Sequence, residues 1–173
     1  MAPFIAKTAA AIAAVAGLAV STDIDENNAY AGTNIAVLQQ TVIDAHAATL
    51  FSRADADANG ALSADEFTAL SVVTAELARL NGFITIETGD EPATVAVGPA
   101  ARSMTQSEYA RVAAVARNKF YLFSNGDGAM TADEFQNLQK ADFEAADLNK
   151  NDRLGRRELA LYGQRQAKLL PDS

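Results

Sequence analysis

Apolar positions recur at helical spacing through five stretches, about Asn34 to Ala54, Ala64 to Leu80, Thr105 to Leu122, Ala132 to Ala146 and Arg156 to Leu169, and each reads as an amphipathic helix. Between the second and third the rhythm changes. Over 82–98, G-F-I-T-I-E-T-G and A-T-V-A-V-G alternate β-branched with other residues around a Gly-Asp-Glu-Pro turn, the pattern of a β-hairpin. It has no counterpart among the helical segments and reads as an insertion that packs on the helices or touches a partner. The predicted fold class is all-α, helix-loop-helix, with one inserted β-hairpin.

The most informative segment joins the first two helices. Residues Asp55 to Glu66 read D-A-D-A-N-G-A-L-S-A-D-E, followed by Phe67. Asp55, Asp57 and Asn59 at loop positions 1, 3 and 5 aim oxygens at one point, and Gly60 at 6 allows a sharp turn. Ala61 at 7 lends a backbone carbonyl, Ser63 at 9 holds a water, and Glu66 at 12 is placed to bind through both oxygens. Ser63 to Glu66 alone would also serve as a capping box. The flanking Phe51 and Phe67, which entering and leaving helices would turn inward, favour the ion cage.

Two further segments repeat parts of this pattern. In 147–158, Asp147, Asn149, Asn151, Arg153 (through its carbonyl) and Glu158 take the ligand places, with Phe143 four residues ahead. Asp152 replaces the glycine, and Lys150, Arg153, Arg156 and Arg157 surround the loop with positive charge, so weaker cation binding, or an empty loop that keeps its shape, is expected. In 123–134, Asn125, Asp127, Ala129, Thr131 and Glu134 fit, but Phe123 falls at position 1. One residue missing between Phe123 and Ser124 would account for this, because Phe120 would then stand where Phe51 and Phe143 stand. Ser103 to Tyr109 repeats only the tail of the loops and is assigned no metal.

These loops resemble those of the EF-hand calcium-binding family, over 51–67 and 120–159. The resemblance implies hands near 55–66, 123–134 and 147–158 and Ca2+ as the bound ion. Only residues 135–146 separate the last two loops, about 18 Å of helix, so one helix joins them and they are not placed to pair with each other. That spacing is similar to bacterial EF-hand proteins, including the lanmodulin family, rather than to calmodulin. Lanmodulins carry proline at loop position 2, where this chain has Ala56, Ser124 or Leu148.

Composition narrows the classes. A net charge of −8 disfavours nucleic acid. With one histidine, His46, and no cysteine or tryptophan, zinc fingers, Cys-His catalysis and disulfide staples are set aside. No nucleophile–base pair, H-E-x-x-H or phosphate loop is visible, so no enzyme is predicted. Lys7, the apolar run Ala9 to Val20 and Ala29-Tyr30-Ala31 read as a signal peptide over 1–31, leaving 32–173 as the domain. A periplasmic or secreted protein without stable membrane insertion follows. Its expected role is calcium buffer or sensor. The alternatives are an EF-hand-shaped module that holds an unidentified protein partner with structural metal, and a lanthanide-binding protein.

Overall fold

The computed structural model describes residues 33–87, 92–97 and 102–167. The expected signal peptide, the hairpin turn and the last residues of the expected final helix lie outside them. The two-residue strands β1 (Thr33–Asn34) and β2 (Leu38–Gln39) lead into α1 (Gln40–Ala54). Then come β3 (Ala61–Ser63), α2 (Ala64–Asn81), β4 (Phe83–Glu87), β5 (Pro92–Ala96), α3 (Gln106–Phe123), β6 (Ala129–Thr131), α4 (Ala132–Glu144), β7 (Arg153–Leu154) and α5 (Arg156–Gln166).

Helices α2, α3 and α4 start where their sequences say they should. Ser63, Thr105 and Thr131 accept the backbone N–H of Glu66, Glu108 and Glu134, whose carboxylates accept the N–H of the capping residue in return. The start of α1 departs from the expected Asn34. Residues 33–39 are drawn into strand pairs: β1 lies parallel to β5, and β2 pairs antiparallel with β7, Leu38 opposite Leu154. Leu38 is buried there, and Gln39 begins α1 without a side-chain cap. The expected hairpin forms, with Ile84 opposite Val95 and Ile86 opposite Ala93, but β1 makes it a three-stranded sheet in the order β1-β5-β4.

Two apolar clusters organise these elements. One gathers Phe51, Leu62, Phe67, Phe120, Met130 and Phe135 where α1 to α4 meet. The other gathers Leu38, Ile43, Ile84, Ile86, Val95, Phe143, Leu154 and Tyr162 under the sheet. Helices α1 and α4 contribute to both and hold them in register. Helix α5 approaches the sheet so closely that a Cβ on Gly163 would come within 3.1 Å of Val95 Cγ1 and 3.3 Å of the Ala96 carbonyl oxygen.

The single histidine joins α1 to the hairpin. Buried His46 accepts the backbone N–H of Glu87 on Nδ1 at 3.1 Å, beside an Arg53–Glu87 ion pair of 2.8 Å. Burial lowers its pKa from 6.5 to about 4, the Glu87 carboxylate opposing the shift and Arg53 adding to it. The unfolded chain therefore binds more protons than the fold between those two values. Stability is complete above the unfolded pKa and is lost as pH falls towards the folded one. Urea unfolding is expected to show that lowering the pH from about 7 to about 4.5 costs the parent roughly 2–3 kcal/mol more than it costs His46→Gln. Equal losses would remove His46 from the account.

Candidate metal centre

Loop 55–66 leaves α1 with the Asp55 N–H still bonded to the Phe51 carbonyl at 2.9 Å. Two left-handed residues then turn the chain, Ala58 at φ 54° and Gly60 at φ 84°. Around Gly60 an added Cβ would meet nothing within 4 Å, so glycine answers a backbone demand there and not a lack of space. The loop's own amides hold the acidic side chains. Asp55 accepts the N–H of Asn59 at 3.1 Å and of Gly60 at 2.9 Å, and Asp57 that of Asn59 at 3.2 Å. Asn59 Oδ1 accepts the Ala61 N–H at 2.9 Å, and Glu66 spans the loop from the Ala56 N–H at 3.0 Å to the Ser63 N–H at 2.8 Å.

This scaffold brings one oxygen each of Asp55, Asp57 and Glu66 within 4.8 Å of one another, the group of three converging carboxylates found among the described residues. At that separation each charged pair repels by roughly 1–3 kcal/mol, which a divalent cation at the centre would turn into attraction. The donors are all hard oxygens, suited to Ca2+ and unsuited to soft or thiolate-seeking metals.

The second loop, 123–134, lies against the first. Strands β3 and β6 pair antiparallel, with Leu62 opposite Met130. The Ser124 N–H bonds to the Phe120 carbonyl at 2.9 Å, as Asp55 does to Phe51 and Asp147 to Phe143. Ser124 therefore occupies the leading ligand's place, and Phe123 packs on the aromatic cluster. The loop is one residue short. Asn125 is pushed to φ 53° in addition to Gly126 and Gly128, whereas the other loops have two left-handed residues each. Ser124 Oγ is buried without a hydrogen-bond partner, and the Asp127 N–H reaches the Ser124 carbonyl at 3.3 Å. Asp127 Oδ1 accepts from Ala129 N–H, while Glu134 accepts from the N–H and hydroxyl of Thr131 and from the Asn125 amide. Those bonds, Thr131 N–H first, hold the Glu134 carboxyl below its usual range.

Loop 147–158 keeps the full twelve-residue shape. Lys150 and Asp152 are left-handed at φ 56° and 58°, matching Ala58 and Gly60. Asp147 accepts the N–H of Asn151 at 3.3 Å and of Asp152 at 2.9 Å, and Asn151 Oδ1 that of Arg153 at 3.0 Å. Glu158 spans from Leu148 N–H at 3.1 Å to Gly155 N–H at 3.0 Å. Asn149 donates its amide to Glu158 at 2.8 Å, so it would have to turn its oxygen inward to ligate a cation. Its strand partner is β2 and not loop 123–134, and Gln40 N–H also reaches the Asp152 carbonyl at 3.2 Å.

The segment without an assigned metal holds organic cations instead. Glu108 accepts both Arg102 terminal nitrogens, at 2.8 and 2.9 Å, and Arg79 at 3.0 Å. The Arg102 bond and those from Thr105 keep its carboxyl far below the ordinary range.

A protein-family model described as EF hand matches residues 47–71. The match spans the second half of α1, the loop with the three converging carboxylates, β3 and the first half of α2. Neither the curated proteins nor the solved structures give a match. The sequence did not reveal the Ala56 N–H that anchors Glu66 or the β2 residues beside loop 147–158. The place that Ser124 takes was foreshadowed by its four-residue spacing from Phe120.

If the shortened entry is what weakens loop 123–134, an Asp inserted between Phe123 and Ser124 is expected to add one calcium equivalent. Isothermal titration checks this. Unchanged stoichiometry and affinity would place the defect in the helix packing.

Proposed function

We propose that this protein binds calcium, with loop 55–66 as its tightest site, and serves as an exported buffer or sensor of the ion. The observation that carries the reading is the convergence of Asp55, Asp57 and Glu66 inside the segment that matches the EF hand. Asn59, the Ala61 carbonyl and Ser63 stand at the remaining ligand positions. Loops 147–158 and 123–134, with two carboxylates each at ligand positions, are weaker sites. The acidic groups at loop 55–66 are spent as ligands, which favours a binding protein over an enzyme. Export rests on residues 1–31. Among the described residues no helix is long and apolar enough to cross a membrane.

A ligand that binds only the folded state stabilises it by RT ln(1 + [L]/Kd), about 2.7 kcal/mol at a hundredfold excess. Calcium at millimolar concentration is expected to raise the melting temperature, and equal magnesium far less, because magnesium demands a tighter octahedral cage. Glu66→Gln should abolish most of the calcium shift. Circular dichroism melts in chelator, calcium and magnesium at constant ionic strength make the comparison. Identical melting temperatures in all three would reject the calcium reading.

A further inference from the structure

Loop 147–158 departs from the other two loops in charge and in one missing donor. Loop 55–66 carries Asp55, Asp57, Asp65 and Glu66 with no basic residue, and loop 123–134 carries Asp127, Asp133 and Glu134 with none. Loop 147–158 sets Lys150, Arg153, Arg156 and Arg157 against Asp147, Asp152 and Glu158. All four cations are exposed, and none forms an ion pair among the described residues. Asp147 and Glu158 are buried, 7% exposed each, so these two carboxylates face inward, while Asp152 and all four cations face solvent.

The missing donor is at position 9. Ser63 and Thr131 place a hydroxyl there, each within 2.9 Å of its loop's closing glutamate. Gly155 offers no side chain. At that place an open cleft of about 400 Å³ is lined by Leu148, Asn149, Gly155, Arg156, Arg157 and Glu158. A divalent cation held by Asp147 and Glu158 would therefore lack the side chain that holds a water at position 9, under a rim with surplus positive charge. An anion answers both deficits. The guanidinium's planar fork suits a phosphoryl group, whose oxygens it can bind in pairs while another oxygen meets the metal.

We propose that loop 147–158 takes a divalent cation and a phosphoryl anion together, an anion oxygen filling the position that Gly155 leaves without a ligand and Arg156 and Arg157 holding its charge. This rests on the reading of that loop as a cation site. By linkage, the anion tightens the cation by the same factor as the cation tightens the anion. The site would then respond to calcium and a phosphate group as a pair, and loop 55–66 to calcium alone.

The test is calorimetric titration of the full chain with calcium at constant ionic strength, with and without phenyl phosphate. The expected result is a calcium step, absent in Glu158→Gln, that tightens about tenfold when phenyl phosphate is present, equivalent to about 1.4 kcal/mol. In Arg156→Gln/Arg157→Gln the step should persist and lose its response. Co-sedimentation with phosphatidylcholine vesicles containing phosphatidylglycerol locates the source. Calcium-dependent sedimentation that needs Arg156 and Arg157 assigns a lipid headgroup, and a phenyl phosphate effect without sedimentation assigns a free ester. A Glu158-dependent step indifferent to both phosphoryl sources overturns the inference while leaving the cation site standing. No Glu158-dependent step at all overturns the premise for this loop.

Discussion

One carboxylate at the end of each loop governs the local structure. Glu66 and Glu158 accept the N–H of Ala56 and Leu148, ten residues back, and that of the capping residue, three residues back. Hydrogen bonds to an ionised group are worth roughly 1.5–3 kcal/mol each, so the loop is closed on itself before any ion arrives. Closure sets where β3, β6 and β7 begin. The strand pairs then aim the flanking helices so that Phe51, Phe67, Phe120 and Phe135 share one cluster.

The same carboxylate accepts different companions in different loops. Amides from Asn125 and Asn149 lean on Glu134 and Glu158, and guanidinium groups from Arg79 and Arg102 clasp Glu108. Only in loop 55–66 is the third residue a carboxylate, Asp57, which adds to the negative charge instead of relieving it. A gradient follows, from a loop with three converging carboxylates to a segment whose carboxylate is already paired with two arginines.

Much of this was legible in the sequence because it is local. Capping pairs three residues apart located the starts of α2, α3 and α4, and alternation over 82–98 located β4 and β5. The ligand pattern of 55–66 is complete within twelve residues and reads without reference to anything distant. What escaped depends on partners far along the chain. Ile35, Leu38 and Val42 are spaced like a helical stripe, and nothing nearby reveals that β5 and β7 claim residues 33–39. The helix between the last two loops argued against their pairing, but it could not say that 123–134 would pair with 55–66. The shortened entry of 123–134 was visible as a spacing fault, whereas its cost, a buried hydroxyl and a left-handed Asn125, required the fold.

The β2–β7 ladder has a consequence for how the chain assembles. The pairing of loops 55–66 and 123–134 through β3 and β6 joins segments that precede β7 and needs nothing beyond α4. Loop 147–158 is instead braced by residues from the opposite end of the described chain. Closing so long a loop costs entropy before any contact rewards it, so such pairings form late and slowly. During synthesis Leu38 has no strand partner until Leu154 has been made. The paired loops 55–66 and 123–134 can thus mature first, and the last of the three loops to take shape is the one fastened to β2.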